Sequence, residues 1–175
     1  MLVFLIAGEP SGDVLGGALM RALKERTGGA ISFAGVGGER MAAEGLQSLV
    51  PLHELAVMGI AEVLPRARLI LRRVRETAEA IVRLRPDAVV TIDSSGFTWR
   101  IAQALRRRGE RLPLIHYVAP MVWAWGAGRV RRIARWYDHL MCLLPFEPPY
   151  FEQAGLPATW VGHPVLESGL DRGDE

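Results

Sequence analysis

Short runs of apolar residues alternate with longer amphipathic stretches along the whole chain. The apolar runs are continuous and not interleaved with polar residues, which is typical of strands that are buried on both faces. They predict strands at Leu2–Ala7, Ile31–Val36, Ala88–Ile92, Leu114–Val118, Leu140–Leu144 and Thr159–Val161. Between them, apolar residues at helical spacing predict helices at Gly12–Arg26, Pro65–Leu84, Phe97–Arg108, Val122–Trp136 and Phe146–Ala154.

The alternation of strands and helices with short connections predicts a mostly parallel sheet with helices on both faces. We therefore expect a Rossmann-like, three-layer α/β domain over residues 1–166, followed by a polar linker or tail over residues 167–175. In such sheets ligands bind at the carboxyl ends of the strands. The residues that could carry chemistry follow predicted strands, at positions 8–13, 93–97, 119–125 and 145–147.

Composition narrows the class of protein. Half of the 175 residues are hydrophobic and 23% are charged, which is typical of a globular domain. The formal net charge is only +2, so we expect no nucleic-acid partner. The single cysteine, Cys142, excludes a disulfide within the chain, and its apolar neighbours predict a small buried hydrophobic residue.

Targeting and metal-binding signals are not found in the sequence. The N-terminus has neither the basic region nor the cleavage site of a signal peptide, and no apolar run approaches the ~20 residues that span a bilayer. We therefore expect a cytoplasmic protein that is soluble or bound to a membrane from its surface. The four histidines are scattered without metal-ligand spacing, so we expect no metal and no cofactor. His116 ends a strand at the ligand-binding edge and is the histidine expected to contact a ligand.

The loop after the first strand, Gly8-Glu9-Pro10-Ser11-Gly12-Asp13, is the first candidate site. Its glycines allow the backbone to approach a ligand, and Ser11 could cap the following helix, whose N-terminus offers amide donors. The glycine spacing is that of neither a dinucleotide-binding motif nor a P-loop. Because Glu9 and Asp13 stand beside the loop, we expect it to bind sugar hydroxyls and not phosphate. The alternative is a strand-to-helix turn without a ligand.

The loop after the third strand places Asp93, Ser94 and Ser95 ahead of a glycine. An aspartate at the carboxyl end of a strand, surrounded by hydroxyl groups, is well placed to act as a general base. Ser94 beside it is a candidate substrate-binding residue. The alternative is that Asp93 or Ser94 only caps the helix that follows.

Aromatic and basic residues follow the fourth strand. Trp123 and Trp125 are two positions apart, so they cannot share one helical face. In a loop they would offer an apolar surface to sugars, acyl chains or a membrane interface. Arg129, Arg131, Arg132 and Arg135 come next and could hold a phosphate or an anionic membrane. The alternatives are core packing for the tryptophans and a solvated helix face for the arginines.

The last candidate is the segment of residues 58–64, which is apolar except for Glu62. It begins at Met58 and precedes the arginine-rich helix. Such a segment could take up acyl chains at a surface, or it could belong to the core.

Together these segments resemble the lipid-A-disaccharide synthase family. The matching stretches follow the family's order over nearly the whole chain, and the ordered set is highly specific although each motif alone is weak. They are Ala7-Gly8-Glu9-Pro10-Ser11-Gly12-Asp13, Gly35-Val36-Gly37-Gly38, Met58-Gly59-Ile60-Ala61-Glu62-Val63-Leu64, Ile92-Asp93 with Phe97, His116-Tyr117-Val118-Ala119-Pro120 with Val122-Trp123-Ala124-Trp125, Leu144-Pro145-Phe146-Glu147, and Val161-Gly162-His163-Pro164.

The resemblance implies the N-terminal half of a GT-B glycosyltransferase. The family joins UDP-2,3-diacylglucosamine to 2,3-diacylglucosamine 1-phosphate, forms a β-1,6 disaccharide 1-phosphate and releases UDP without a metal. It implies a peripheral position on the cytoplasmic face of the inner membrane. Asp93 matches the family's loop aspartate and would be the general base. Glu9, Ser11 and Asp13 match positions that face the cleft. The matches to the acceptor-side wall are Met58, Glu62, Trp123 and Trp125.

Three features depart from the family's pattern. Ser95 stands where the family often has proline, and Met121 stands where it often has serine. The chain also ends just past Gly162-His163-Pro164, where the family begins its second domain. We therefore expect the UDP-sugar-binding domain to be absent from this chain, which would then be an expressed domain, a truncated gene product, or half of a split enzyme whose other chain supplies that domain.

Two other interpretations stay open. One is another GT-B enzyme, such as a nucleotide-sugar epimerase or a cell-wall transferase, although a fully soluble substrate would not need acyl-binding segments. The other is a non-catalytic module that binds a lipid or a partner protein. A nicotinamide-dependent oxidoreductase is disfavoured because the glycine fingerprint is missing.

Overall fold

Strands and helices alternate from the first residues onward. The computed structural model describes residues 1–55, 60–121 and 128–163, and for residues 60–66 it describes the backbone alone. The strands are β1 Leu2–Ala7, β2 Ser32–Val36, β3 Ala88–Ile92, β4 Leu114–Tyr117, β5 His139–Cys142 and β6 Ala158–Trp160. The helices are α1 Pro10–Arg26, α2 Glu39–Ala43, α3 Ile60–Leu84, α4 Ser95–Arg107, α5 Gly128–Ile133 and α6 Pro148–Glu152, with a 3₁₀ turn at Leu52–Glu54. The predicted boundary at residue 166 lies outside the described residues and stays a prediction.

The six strands form one sheet in the order β2-β1-β3-β4-β5-β6, and every neighbouring pair is parallel. This confirms the predicted Rossmann-like α/β fold. The chain passes from β1 to β2 on one side and then crosses back to form β3 on the other side of β1. The strand order therefore reverses between β1 and β3, and the loops that follow these two strands border a crevice at the carboxyl edge of the sheet.

Helices cover both faces of the sheet and produce the three layers. Phe4 and Ile6 of β1 pack with apolar residues of α3, α4 and α5 on one face. Val3, Leu5 and Ala7 pack with residues of α1 and α2 on the other face. All five side chains are 5% exposed or less, which explains why the strand reads as an unbroken apolar run.

The helix boundaries differ from the sequence predictions in several places. α1 begins at Pro10 because proline favours the first helical position, so Glu9 is the N-cap residue and Ser11 lies inside the first turn. The prediction that Ser11 caps this helix was wrong. α3 begins at Ile60, ahead of the expected start at Pro65. α2 was not predicted because five residues are too few to show helical periodicity. In the predicted helix 122–136, residues 122–127 lie outside the described residues, and α5 ends at Ile133.

Cys142 is fully buried in β5, as predicted. Burial, with Glu147 and Glu152 nearby, raises the pKa of its thiol to about 12. The thiolate is therefore not populated at neutral pH, and the residue acts as a small hydrophobic side chain.

Candidate active site

Three of the predicted site residues meet at the crevice between β1 and β3. Glu9 and Ser11 follow β1 at the start of α1, and Asp93 follows β3 directly. The hydroxyl of Ser11 donates a hydrogen bond of 3.3 Å to Oδ2 of Asp93. The sheet thus brings together two loops that are 82 positions apart in the sequence.

Asp93 is held in one orientation by its neighbours. Its backbone N–H donates to the carbonyl of Tyr117 at 2.9 Å, and its Oδ1 accepts from the backbone N–H of Ser94 at 2.8 Å. The side chain is only half-buried. Because each carboxylate oxygen has two lone pairs, both oxygens can still accept a hydrogen from a ligand. An oriented carboxylate at an open crevice can accept a proton from a substrate hydroxyl.

The backbone around Asp93 is strained. φ is +47° at Asp93, +45° at Ser94 and +79° at Val118, which follows β4. Non-glycine residues rarely occupy this left-handed region, and each one costs on the order of 1 kcal/mol. The hydroxyl of Thr98 lies 2.9 Å from the carbonyl oxygens of both Asp93 and Ser94 and stabilises the turn. Strain of this kind clusters at functional sites.

The capping alternative for Asp93 and Ser94 is not supported. Ser94 occupies the N-cap position of α4 but makes no side-chain capping bond. Asp93 binds the N–H of Ser94, which precedes the helix. A Cβ added at Gly8 would lie 2.3 Å from Oγ of Ser94, so glycine at this position allows the two loops to pack against each other.

Glu9 places a second carboxylate next to Asp93. Burial and then the charge of Asp93 raise the pKa of Glu9, while the backbone N–H of Ser94 lowers it. A carboxyl group whose pKa is raised protonates more readily and can then donate to a sugar hydroxyl as well as accept from it. In the described ranges, no three His, Cys, Asp or Glu side chains form a group that could hold a metal ion.

Asp13 and Gly12 do not join this site. Asp13 is 5% exposed, and its carboxylate accepts the backbone N–H groups of Gly38, Arg40 and Met41 at 2.7, 2.9 and 3.1 Å. It therefore holds the N-terminus of α2, and the structure does not support the predicted contact with a sugar. Gly12 is buried, and a Cβ there would lie 3.2 Å from the carbonyl oxygen of Ile92. Its role is the close packing of α1 on β3.

His116 lies near the end of β4, but its side chain is buried in the core. It is 1% exposed, inside β4, with Nδ1 2.7 Å from the hydroxyl of Thr91 and its ring 4.9 Å from that of Tyr137. Burial lowers the pKa of His116 to about 3. The prediction of substrate contact was wrong because a residue at a strand end can still point into the core. His116 is a neutral core residue at physiological pH.

This buried histidine predicts a pH dependence of stability. His116 binds a proton with a pKa near 6.5 in the unfolded chain and near 3 in the folded one. Its contribution is therefore complete above pH 6.5 and is lost progressively as the pH falls towards 3. Between pH 7 and pH 5 the free energy of unfolding should fall by about 2 kcal/mol. Urea unfolding of the wild type and of His116→Gln at pH 7 and pH 5 measures this change in the free energy of unfolding. If the free energy of unfolding fell by the same amount between pH 7 and pH 5 in both proteins, His116 would not be the cause.

Several predicted residues lie where the structure gives no side chain. Met58, Trp123 and Trp125 fall outside the described residues. Glu62 lies in the first turn of α3, where only the backbone is described. Met121, just before the tryptophan segment, is 59% exposed. The acceptor-side wall therefore stays a prediction.

The predicted arginine cluster separates into two parts. Arg129 and Arg132 of α5 line a cavity of about 700 Å³ between α4 and α5, whereas Arg131 does not line it. Arg135 of the predicted cluster also lines this cavity, and so does Arg100 on α4, which was not predicted. The spacing of Arg129, Arg132 and Arg135 at i, i+3 and i+6 was a usable signal, but the approach of Arg100 depends on the packing of the two helices.

Two solved structures illustrate the fold that this chain shares. UDP-GlcNAc 2-epimerase from Neisseria meningitidis, bound to UDP-GlcNAc, matches with a TM-score of 0.67 and 12% identity, over 98% of this chain and 49% of that chain. MurG of Acinetobacter baumannii matches with a TM-score of 0.52 and 16% identity, over 83% of this chain and 42% of that chain. At such identities the likeness shows the fold alone, which is the N-terminal half of a GT-B architecture.

Sequence relatives give the family. The chain is 62% identical over 174 residues to the lipid-A-disaccharide synthase of Rhodospirillum centenum and 61% identical to that of Paramagnetospirillum magneticum. The alignments cover 99% of this chain but only 43% and 45% of those proteins, so the chain spans less than half of their length. The family model described as lipid-A-disaccharide synthetase matches residues 3–172. This chain therefore belongs to the lipid-A-disaccharide synthetase family.

Proposed function

We propose that this chain is the acceptor-binding half of a lipid-A-disaccharide synthase and that Asp93 is its general base. The observation that carries the proposal is the position of Asp93 at the point where the strand order reverses. Its carboxylate there is oriented by the Ser94 N–H and the Ser11 hydroxyl. Ligands of open parallel sheets bind at this point. Membership of the lipid-A-disaccharide synthetase family supports a glycosyl transfer in lipid A biosynthesis.

In the proposed reaction, the 6-hydroxyl oxygen of 2,3-diacylglucosamine 1-phosphate attacks the anomeric carbon of UDP-2,3-diacylglucosamine. Asp93 takes the proton of that hydroxyl as the new C–O bond forms, the bond to UDP breaks, and UDP leaves with its electron pair. Glu9 and Ser11 lie beside Asp93 and can hydrogen-bond the acceptor's other hydroxyls. Fixing the hydroxyl beside its base lowers the entropic cost of the reaction.

Binding of the UDP-sugar donor is proposed to require residues outside this chain. This chain corresponds to 43% of the Rhodospirillum centenum relative, and we propose that the UDP-sugar is held mainly by the part that follows. Activity is therefore best measured on a fused enzyme, in which this chain is joined to the remaining C-terminal part of that relative. The chain alone should show little or no transfer.

Binding of the acyl chains and attachment to the membrane would require an exposed apolar surface. Leu71 on α3 is 57% exposed and Met121 is 59% exposed, and both are candidates for such contacts. We keep Met58, Glu62, Trp123 and Trp125 as proposed acceptor-side residues on the strength of the family match. Among the residues that the structure describes, no helix combines the length and the apolar character that crossing a bilayer requires. The proposed location is the cytoplasmic face of the inner membrane, at its surface.

Acceptor binding separates this function from its alternatives. The chain should bind 2,3-diacylglucosamine 1-phosphate at least 100-fold more tightly than glucosamine 1-phosphate, because each buried methylene contributes about 0.8 kcal/mol. Calorimetry below the critical micelle concentration measures both affinities, and a lysophospholipid without the sugar controls for unspecific uptake. Equal affinity for the acylated and deacylated sugars would favour an enzyme with a soluble substrate. Equal affinity for the acceptor and the lysophospholipid would favour a general lipid-binding module.

A further inference from the structure

Among the residues that the structure describes, four arginines and no acidic residue line the cavity between α4 and α5. Arg100 projects from α4, and Arg129, Arg132 and Arg135 come from α5 and the turn after it. All four are exposed, so their guanidinium groups can be reached from solvent. We call this surface the arginine cleft.

Several other arginines in the described part of the chain have acidic partners. Arg21 pairs with Glu44, Arg73 pairs with Glu54 and Glu76, and Arg106 pairs with Asp138. Among the described residues none of the four cleft arginines has an acidic partner, and Arg100 donates only to the carbonyl of Gly96. Four like charges on one exposed surface repel one another weakly in water, and a bound anion would relieve that repulsion.

Other groups around the cleft favour an anion as well. Ser95 and Gly96 line it at the N-terminus of α4, whose first turn holds no acidic residue. The positive end of the helix dipole therefore adds to the field of the arginines. Trp99 and Trp136 form an aromatic wall with ring centroids 6.3 Å apart. The indole N–H of Trp99 is buried without an acceptor among the described residues.

We infer that the arginine cleft binds a phosphate group carried by a lipid. Guanidinium groups bind phosphate oxygens in bidentate pairs, and several of them converging on one cavity suit a phosphomonoester or phosphodiester. Ser95, which lines the cleft, follows Asp93 by two positions in the chain. The phosphate has two sources, the headgroup of an anionic membrane lipid and the 1-phosphate of the acceptor. The second source rests on the proposed function.

Two matched variants test the cleft. Arg100→Gln/Arg132→Gln removes one cleft arginine from each helix. Arg107→Gln/Arg131→Gln removes one exposed arginine from each of the same helices outside the cleft. Both variants lose two positive charges, so a general charge effect would change them equally. Circular dichroism and thermal unfolding confirm that each is folded.

Each variant is tested with two pairs of ligands. The first pair is 2,3-diacylglucosamine with and without its 1-phosphate. The second pair is vesicles of phosphatidylcholine with and without phosphatidylglycerol. In the cleft variant, we expect binding of at least one phosphate-bearing or anionic ligand to weaken about tenfold or more, with the matched ligand and the control variant unchanged.

The pair that loses affinity identifies the source of the phosphate. Loss confined to the sugar phosphate assigns the cleft to the acceptor, and loss confined to anionic vesicles assigns it to the membrane. Equal losses in the two variants, or none in the cleft variant, would overturn the inference. These are binding measurements on this chain, so they can fail while the fused enzyme is active, and they can succeed while it is inactive.

Discussion

Replacing Asp93 by asparagine should lower kcat for disaccharide formation in the fused enzyme by about 100-fold to 10,000-fold. Asparagine keeps the size of the side chain and an oxygen that can accept from the Ser94 N–H, which lies 2.8 Å from Oδ1. It cannot take the proton of the attacking hydroxyl. We therefore expect KM for the acceptor to change little, because the interaction removed is made in the transition state. Steady-state kinetics with both diacylated substrates measures the two constants.

A matched control lies at the other end of the same strand. Asp87 precedes β3, and its carboxylate accepts the backbone N–H of Leu2 at 2.6 Å. Asp87→Asn can keep that bond and lies away from the crevice, so it should retain kcat within about twofold. If Asp93→Asn were as active as Asp87→Asn while both proteins stayed folded, Asp93 would not be the base.

Asp13→Ala should lower the free energy of unfolding by about 3 kcal/mol or more. The carboxylate of Asp13 is the acceptor for three backbone N–H groups at the start of α2, and alanine would leave those donors without it. A buried donor without a partner costs about 1 to 3 kcal/mol. Urea unfolding followed by circular dichroism gives the change.

Two further variants test whether the loss of stability comes from the hydrogen bonds of Asp13. Glu39→Ala removes an exposed acidic side chain from the first turn of the same helix and should change stability by less than about 0.5 kcal/mol. Asp13→Asn keeps one acceptor oxygen and should fall between the two. Normal stability of Asp13→Ala together with lost acceptor binding would restore the sugar-binding role that the sequence suggested.

The sheet could be predicted from the sequence because strands that are buried on both faces appear as continuous apolar runs. Strands such as β1 and β3 are apolar at nearly every position, and both lie where the pattern placed them. Their parallel arrangement follows from the helices between them. The meeting of the loops at Asp93 and Ser11 follows in turn, because parallel strands end at one edge of the sheet.

The partners of individual polar residues could not be predicted in the same way. Asp13 and Ser11 are two positions apart in one motif, yet one binds α2 and the other binds Asp93. α2 is too short to be recognised from the sequence. The need of its first N–H groups for an acceptor such as Asp13 could therefore not be predicted. His116 was misassigned because its position at the end of a strand does not reveal that Thr91 and Tyr137 surround it.

The central claim is that this chain supplies the acceptor and the general base of a disaccharide-forming transferase. The most direct measurement is disaccharide formation by the fused enzyme, supplied with UDP-2,3-diacylglucosamine and 2,3-diacylglucosamine 1-phosphate, beside this chain alone. We expect one disaccharide 1-phosphate for each UDP released by the fused enzyme, and little or no product from the chain alone. A folded fused enzyme that binds UDP and the acylated acceptor but forms no disaccharide would contradict it.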